Sequence, residues 1–136
     1  MRGVLALALG GLLFLTSCGE RTCGVDLPAS ELILCRAQTL EVPDTVAVGE
    51  SIPARVRGIA GPDLCYQLER IECELVGPTW VLRPIARHYL NVFCWIMVSH
   101  FDEVVTLTPR APGWAYIEVL STHPVLLDSV YVKPSQ

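Results

Sequence analysis

The sequence predicts an all-β protein whose folded part is a single antiparallel β-sandwich of about seven to nine short strands. From residue 38 onward, apolar and polar residues alternate with a period of two, as in strands that bury one face. Gly and Pro turn signals recur about every 8–12 residues, the spacing typical of sandwiches. No stretch after the N-terminal segment carries a helical apolar stripe. A small closed barrel is the alternative architecture.

The first predicted strands lie between residues 38 and 57. Residues 39–42 alternate before a turn at 43–44, and residues 45–48 precede a turn at 49–50. In residues 51–57 the side chains of Ile52, Ala54 and Val56 share one face, which we expect to be buried. Pro53 cannot donate a ladder hydrogen bond, so we expect this strand at a sheet edge or with a bulge.

The middle of the chain contains the longest strand candidates. Residues 64–76 are predicted to form one strand, and residues 79–83 the next, which ends at Pro84; residues 85–89 are ambiguous. Residues 91–98 are almost all apolar, which predicts a central strand covered on both sides, with Trp95 in the core. The alternative is a segment that seats a partner.

The last third of the chain is predicted to form three strands, at residues 103–108, 114–120 and 125–133. Ala115, Ile117 and Val119 share one face of the second of these, which leaves Trp114 and Tyr116 on the other. If the first face is the core, the two rings point outward as candidate binding residues for a sugar or a peptide. Packing beneath a loop or a covering layer is the alternative.

The N-terminal segment has the pattern of a secretory signal. Arg2 is followed by an apolar stretch at residues 4–15 and then by small residues. Spanning a bilayer takes about 20 apolar residues, so this stretch is too short for a transmembrane anchor. One interpretation is a plain secretory signal that Cys18 follows by coincidence.

Leu15-Thr16-Ser17-Cys18 resembles the lipobox of bacterial lipoproteins. The resemblance implies cleavage before Cys18, lipidation of its thiol by a diacylglyceryl group, usually acylation of its amine, and a cell-envelope membrane as partner. Gly19 is not the aspartate that retains some lipoproteins in the inner membrane, so the resemblance favours the outer membrane. We therefore expect a lipoprotein signal peptide at 1–17, a lipid-anchored tether at 18–37 and the sandwich at 38–136.

Three segments resemble bacterial immunoglobulin-like (Ig-like) domains. Residues 45–52 are similar to the first strands of such domains, residues 111–119 to a late strand, and residues 128–134 to the closing strand. The resemblance covers residues 38–134 but lacks the Cys-Trp-Cys spacing of antibody-type domains. It implies an Ig-like sandwich that serves as a non-enzymatic interaction or structural module, whose partner is another envelope protein.

Six cysteines in an exported chain indicate disulfides. Lipidation of Cys18 leaves five. Cys65 and Cys94 are the expected disulfide, and Cys23 and Cys35 are a second possible pair. Cys73 lies on the apolar face of its strand and is expected to be a buried free thiol, with pairing in place of Cys65 as the alternative.

Charge and motif content exclude several functions. After removal of the signal the chain carries 9 basic and 14 acidic residues, and this acidic balance argues against nucleic acid as a partner. The cysteines show no C-x₂-C spacing for zinc, so no metal or cofactor is expected. Ser99, His100 and Asp102 stand too close in an extended segment to form a catalytic triad, and we predict a polar turn there and no catalytic residue.

Overall fold

A computed structural model of the protein describes residues 27–136, and this part of the chain forms nine β-strands and no helix. The strands in chain order are β1 Ser30–Leu34, β2 Arg36–Glu41, β3 Thr45–Ala47, β4 Ile52–Gly61, β5 Tyr66–Val76, β6 Thr79–Tyr89, β7 Ser99–Leu107, β8 Gly113–Val119 and β9 Leu126–Lys133. They form two sheets, which confirms the all-β prediction and is consistent with a β-sandwich.

The larger sheet has six strands arranged around β6. One edge of β6 pairs along its length with β5. Its other edge pairs with β8 over Thr79–Leu82 and with β1 from Ile85 to Tyr89. Strand β9 follows β8, and β3 completes the sheet on that side.

The larger sheet is mixed, not antiparallel as the sequence predicted. Strand β8 runs parallel to β6, and β3 runs parallel to β9. The parallel pairing of β6 with β8 arises because β7, the strand between them in the chain, belongs to the other sheet. The chain therefore crosses over and returns in the same direction, which a hairpin connection does not allow.

The smaller sheet is antiparallel, with β4 between β2 and β7. The prediction of an edge strand around Pro53 is therefore wrong. Pro53 is tolerated because β2 pairs with β4 only as far as Arg55, opposite Glu41, and does not reach it. The missing N–H consequently removes no ladder hydrogen bond on that side.

Strand β6 continues through Pro84, where the sequence predicted that it would end. Pro84 stands between Leu82, the last residue paired with β8, and Ile85, the first paired with β1. Its carbonyl accepts a 2.8 Å hydrogen bond from the Cys35 N–H. A proline fits in this central strand because it occupies the point at which the neighbouring strand changes.

The core lies between the two sheets and uses the faces that the sequence predicts. Both predicted triplets, Ile52, Ala54 and Val56 on β4 and Ala115, Ile117 and Val119 on β8, are buried. Further core residues come from β2, β6, β7 and β9: Ala37, Leu82, Ala86, Phe101, Leu107, Val130 and Val132. The compact pairing of small and branched side chains is what two closely packed sheets require.

The domain begins earlier than the boundary predicted at residue 38. Residues Ser30–Leu34 are paired in the larger sheet, and the side chains of Cys35 and Ala37 are buried in the core. Much of the predicted tether is thus part of the sandwich.

The direction of β6 defines two ends of the domain. Its eleven residues separate the Thr79 end from the Tyr89 end by roughly 33 Å, at the usual rise per residue in a strand. The β5–β6 turn and the segment before β8 lie at the Thr79 end. The start of β1 and the segment between β6 and β7 lie at the Tyr89 end.

Candidate functional site

The most exposed apolar surface of the described chain is residues 92–98, which we call the apolar loop. It contains six exposed large apolar residues, among them Phe93, Trp95 and Ile96 at 89%, 72% and 97% exposure. The prediction of a buried central strand, with Trp95 in the core, is therefore wrong. Residues 92–98 are not assigned to a strand in either sheet, so their side chains lack the cover that the sequence pattern implied.

The apolar loop is held to the domain at Cys94 and at Trp95, and contacts within the loop constrain it further. Cys94 forms a disulfide with Cys65, as predicted, with the two Cα atoms 5.4 Å apart. The Trp95 carbonyl accepts hydrogen bonds from the N–H groups of Leu64 at 3.2 Å and Met97 at 2.9 Å. Phe93 and Trp95 contact edge to face. The exposed rings are thus presented from a constrained backbone.

The chain enters the domain beside this loop. The Leu90 N–H donates a 2.7 Å hydrogen bond to the carbonyl of Ala29, immediately before β1. Leu27, the first described residue, is also largely exposed. Cys18 and Cys23, predicted to be the lipidation site and a disulfide partner, lie outside the described residues.

Trp114 and Tyr116 lie on the outward face of β8, as expected from the burial of its other face. Both rings are exposed, at 57% and 45%. Tyr131 on β9 stands opposite Trp114, and the two rings meet edge to face with centroids 5.3 Å apart. Tyr131 is a further residue of this face, and its parity opposite the buried Val130 and Val132 is the sequence signal that indicates it.

A cleft at the Thr79 end adjoins these aromatic residues. It has a volume of about 220 Å³ and lies between the β5–β6 turn and residues 109–112. Trp80, Arg110 and Trp114 are among the side chains that line it. The end of the domain farthest from the apolar loop therefore offers aromatic rings and one guanidinium group.

Among residues 27–136, the two cysteines outside the disulfide differ in exposure. Cys35 is buried, and burial raises the pKa of its thiol to about 11. Cys73 is exposed, so the prediction that it is buried is wrong, although it is not disulfide-bonded in the described chain. Cys73 pairs with Leu82, whose side chain is buried. Cys73 is nevertheless exposed because it lies near the end of β5, where all residues from Cys73 to Val76 are exposed. Partial burial nevertheless raises the pKa of its thiol.

The predicted polar turn at residues 99–102 is instead the start of β7. Asp102 accepts two hydrogen bonds from Arg55, at 2.7 and 2.6 Å, and contacts Arg57. The hydrogen bond from Arg55 lowers the pKa of the Asp102 carboxyl, outweighing the opposite effect of desolvation. This arrangement is an exposed cross-strand ion pair, a kind of contact that contributes modestly to stability.

One group of possible metal ligands occurs among residues 27–136, formed by Asp63, Cys65 and Cys94. Its two sulfur atoms are joined in the disulfide, so neither is a thiolate ligand. The Asp63 carboxylate accepts a 2.8 Å hydrogen bond from the Cys65 N–H. This group therefore serves to hold the base of the apolar loop.

Comparison with protein-family models, curated proteins and solved structures finds no match to this chain. Within residues 27–136, no helix has the length and apolar character needed to cross a bilayer.

Proposed function

We propose that this protein is a lipoprotein of the bacterial cell envelope whose Ig-like domain is a non-enzymatic interaction module, anchored to the outer membrane through lipidated Cys18. The observation that carries the interaction role is the apolar loop. Exposed apolar patches are small on most soluble domains, and large ones mark surfaces that contact either another protein or a membrane. Here the side chains of Phe93, Trp95 and Ile96 are largely exposed on a loop that a disulfide ties to Cys65.

The lipid anchor rests on Leu15-Thr16-Ser17-Cys18 after a short apolar run. Each CH₂ group of an acyl chain that is buried in the bilayer contributes about 0.8 kcal/mol to attachment, and stable attachment takes more than one acyl chain. A triacylated cysteine supplies those chains. The Cys65–Cys94 disulfide also agrees with export, because disulfides persist in oxidising compartments outside the cytoplasm.

The Ig-like assignment is supported by where the resembling segments lie. Residues 45–52 contain β3 and the first residue of β4, residues 111–119 contain β8, and residues 128–134 contain most of β9. These strands contribute to both sheets and to the common core. The parallel pairing of β6 with β8 is a departure from an antiparallel sandwich.

The lipid anchor is tested by replacing Cys18 with Ala in cells that synthesise the full chain. We expect the wild type to incorporate radiolabelled palmitate and to enter the detergent phase on partitioning. Cys18→Ala should lose the label and either enter the aqueous phase or accumulate unprocessed. Cys73→Ser is the matched control, since it removes an unpaired cysteine of the described domain and should keep both properties. Equal label in wild type and Cys18→Ala would contradict the anchor.

A second candidate function is binding of a glycan or peptide at the Thr79 end. It is favoured by the exposure of Trp114 and Tyr116 and by the contact of Trp114 with Tyr131. Flat aromatic rings suit both sugar faces and extended peptides because they offer a large apolar area with few rotatable bonds.

Binding at the aromatic face is tested with a glycan array and a peptide array, each followed by titration of intrinsic tryptophan fluorescence. Trp114→Ala should abolish any binding found, and Trp95→Ala should leave it unchanged because Trp95 lies at the opposite end. Binding that survives Trp114→Ala and Tyr116→Ala would exclude this face.

A further inference from the structure

The apolar loop has features that a bilayer surface would complement. Residues 90–98 contain no charged side chain, and Asn91 is their only polar one. Protein interfaces usually surround an apolar centre with a hydrogen-bonding rim, which this loop scarcely offers. Trp is favoured where a membrane meets water, and Phe and Ile are favoured among the acyl chains.

The position of the loop points to the same bilayer that would hold the lipid anchor. Nine residue steps separate Cys18 from Leu27, and a chain of that length spans at most about 30 Å in any conformation. The hydrogen bond between Leu90 and Ala29 places the start of the loop next to the point at which this chain enters the domain. An anchor at Cys18 therefore keeps Leu27, at the Tyr89 end, within about 30 Å of the anchored residue.

We propose that the apolar loop inserts into the interfacial region of the bilayer to which Cys18 is anchored, with Phe93, Trp95 and Ile96 as the inserting side chains. This inference rests on the proposed lipid anchor. The disulfide and the hydrogen bonds to the Trp95 carbonyl hold the loop in place before contact, so insertion orders little further backbone. The inserted loop fixes the orientation of the domain and directs Trp114 and Tyr116 away from the membrane.

The insertion should depend on apolar contact and not on charge. The chain without its signal carries a formal charge of −5, from 9 basic and 14 acidic residues, so anionic lipids repel it overall. High salt weakens electrostatic adsorption but does not weaken burial of apolar side chains. Contact that persists in concentrated salt is therefore expected.

The experiment uses the full lipidated protein reconstituted into vesicles of phosphatidylethanolamine and phosphatidylglycerol, with or without bromine on the acyl chains. Bromine on an acyl chain quenches the fluorescence of a tryptophan only if the ring enters the bilayer. Interfacial segments typically insert about 5–10 Å into the boundary between headgroups and acyl chains. Because the chain has 3 Trp, quenching of Trp95 alone removes at most about one third of the emission if the three emit equally. We expect quenching in wild type and in Trp114→Phe, its loss in Trp95→Phe, and no decrease at 1 M sodium chloride.

A charge placed on the loop supplies a matched comparison. Ile96→Glu should abolish the quenching, whereas Leu127→Glu, which places the same charge at another exposed apolar position on β9, should leave it unchanged. Both variants should still co-float with the vesicles through Cys18.

The possible failures are distinct. Wild-type protein that co-floats without quenching of Trp95 overturns the insertion and leaves the anchor standing. If crosslinks from position 95 in cells then reach another protein, the loop is a protein-docking surface. Wild-type protein that does not co-float overturns the anchor and the insertion together.

Discussion

The N–H of Leu90 donates a 2.7 Å hydrogen bond to the carbonyl of Ala29. This contact joins the residue that precedes β1 to the residue that follows β6, and it brings the N-terminal approach of the chain beside the apolar loop. The aromatic face of β8 and β9 lies toward the other end of the larger sheet. The domain therefore has two exposed apolar surfaces. The apolar loop lies beside Ala29, and the aromatic face lies toward the opposite end of the larger sheet.

Removal of the disulfide should destabilise the domain substantially. Cys65 and Cys94 are 29 positions apart, and closing a loop of that size contributes about 3–4 kcal/mol in the chain-entropy model. We expect the double variant Cys65→Ser/Cys94→Ser to lose that much free energy of unfolding in a denaturant titration. Cys73→Ser, at an exposed position, should change it by less than about 0.5 kcal/mol. Equal stability of the double variant and the wild type would contradict a structural role for the disulfide.

Truncation of Ile117 should destabilise the domain far more than truncation of Trp95. Ile117 is fully buried between the sheets, so Ile117→Ala should cost about 2–5 kcal/mol. Trp95 is exposed, so Trp95→Ala should cost less than about 0.5 kcal/mol despite removing a larger side chain. Thermal and denaturant unfolding of the two variants, measured side by side, checks this. A severe loss of stability in Trp95→Ala would show that its ring is buried.

Cys73 and Cys35 should react with iodoacetamide at different rates. Cys73 is exposed and should be alkylated in the native protein, whereas Cys35 is buried and should react only after unfolding. Both thiols have a raised pKa, that of Cys35 about 11, so alkylation of either should accelerate as the pH rises toward its pKa. Mass spectrometry of the peptides after timed alkylation measures each site separately. Native alkylation of Cys35 ahead of Cys73 would contradict the assigned burial.

The ion pair of Arg55 with Asp102 should make stability depend on acid pH. Because the Asp102 pKa is lower in the folded protein, its stabilising contribution is complete above the ordinary value of 3.8 and is lost as the pH falls through the lowered pKa. We expect Asp102→Asn to melt below wild type at pH 6 and the difference to disappear in strong acid. Melting curves across this range, repeated in high salt, measure it. A difference that grows on acidification would have the wrong sign.

The alternating segments of the sequence predict the all-β class and the buried strand faces, because period-two patterning reports which face of a strand is buried. They do not predict the parallel pairings of the larger sheet. The faces of β4 and β8 were assigned correctly for this reason, and so was the outward parity of Trp114. Prolines were interpreted less well. Pro53 and Pro84 are tolerated inside strands because a neighbouring strand ends or changes beside each of them. Where a neighbouring strand ends is decided by tertiary pairing, and the local sequence around each proline does not indicate it.

The candidate site was missed where the sequence is uniformly apolar. Residues 91–98 show no alternation, so their pattern gives no direction to any side chain, and burial was the expected outcome for Trp95. This segment lies outside both sheets, where Cys94 is bonded to Cys65 and Asn91 adopts a left-handed backbone with a φ of 58°. The disulfide was predictable from the sequence, whereas the exposure of the neighbouring side chains depends on the tertiary fold.

The most direct test of the central claim is the intact mass of the protein purified from membranes of cells that synthesise the full chain. The account predicts that the product begins at Cys18 and carries a diacylglyceryl group, usually together with an amide-linked acyl chain. Fragmentation should place all of the added mass on that first residue. A product that retains residues 1–17, or one that begins elsewhere without added lipid, would contradict the account.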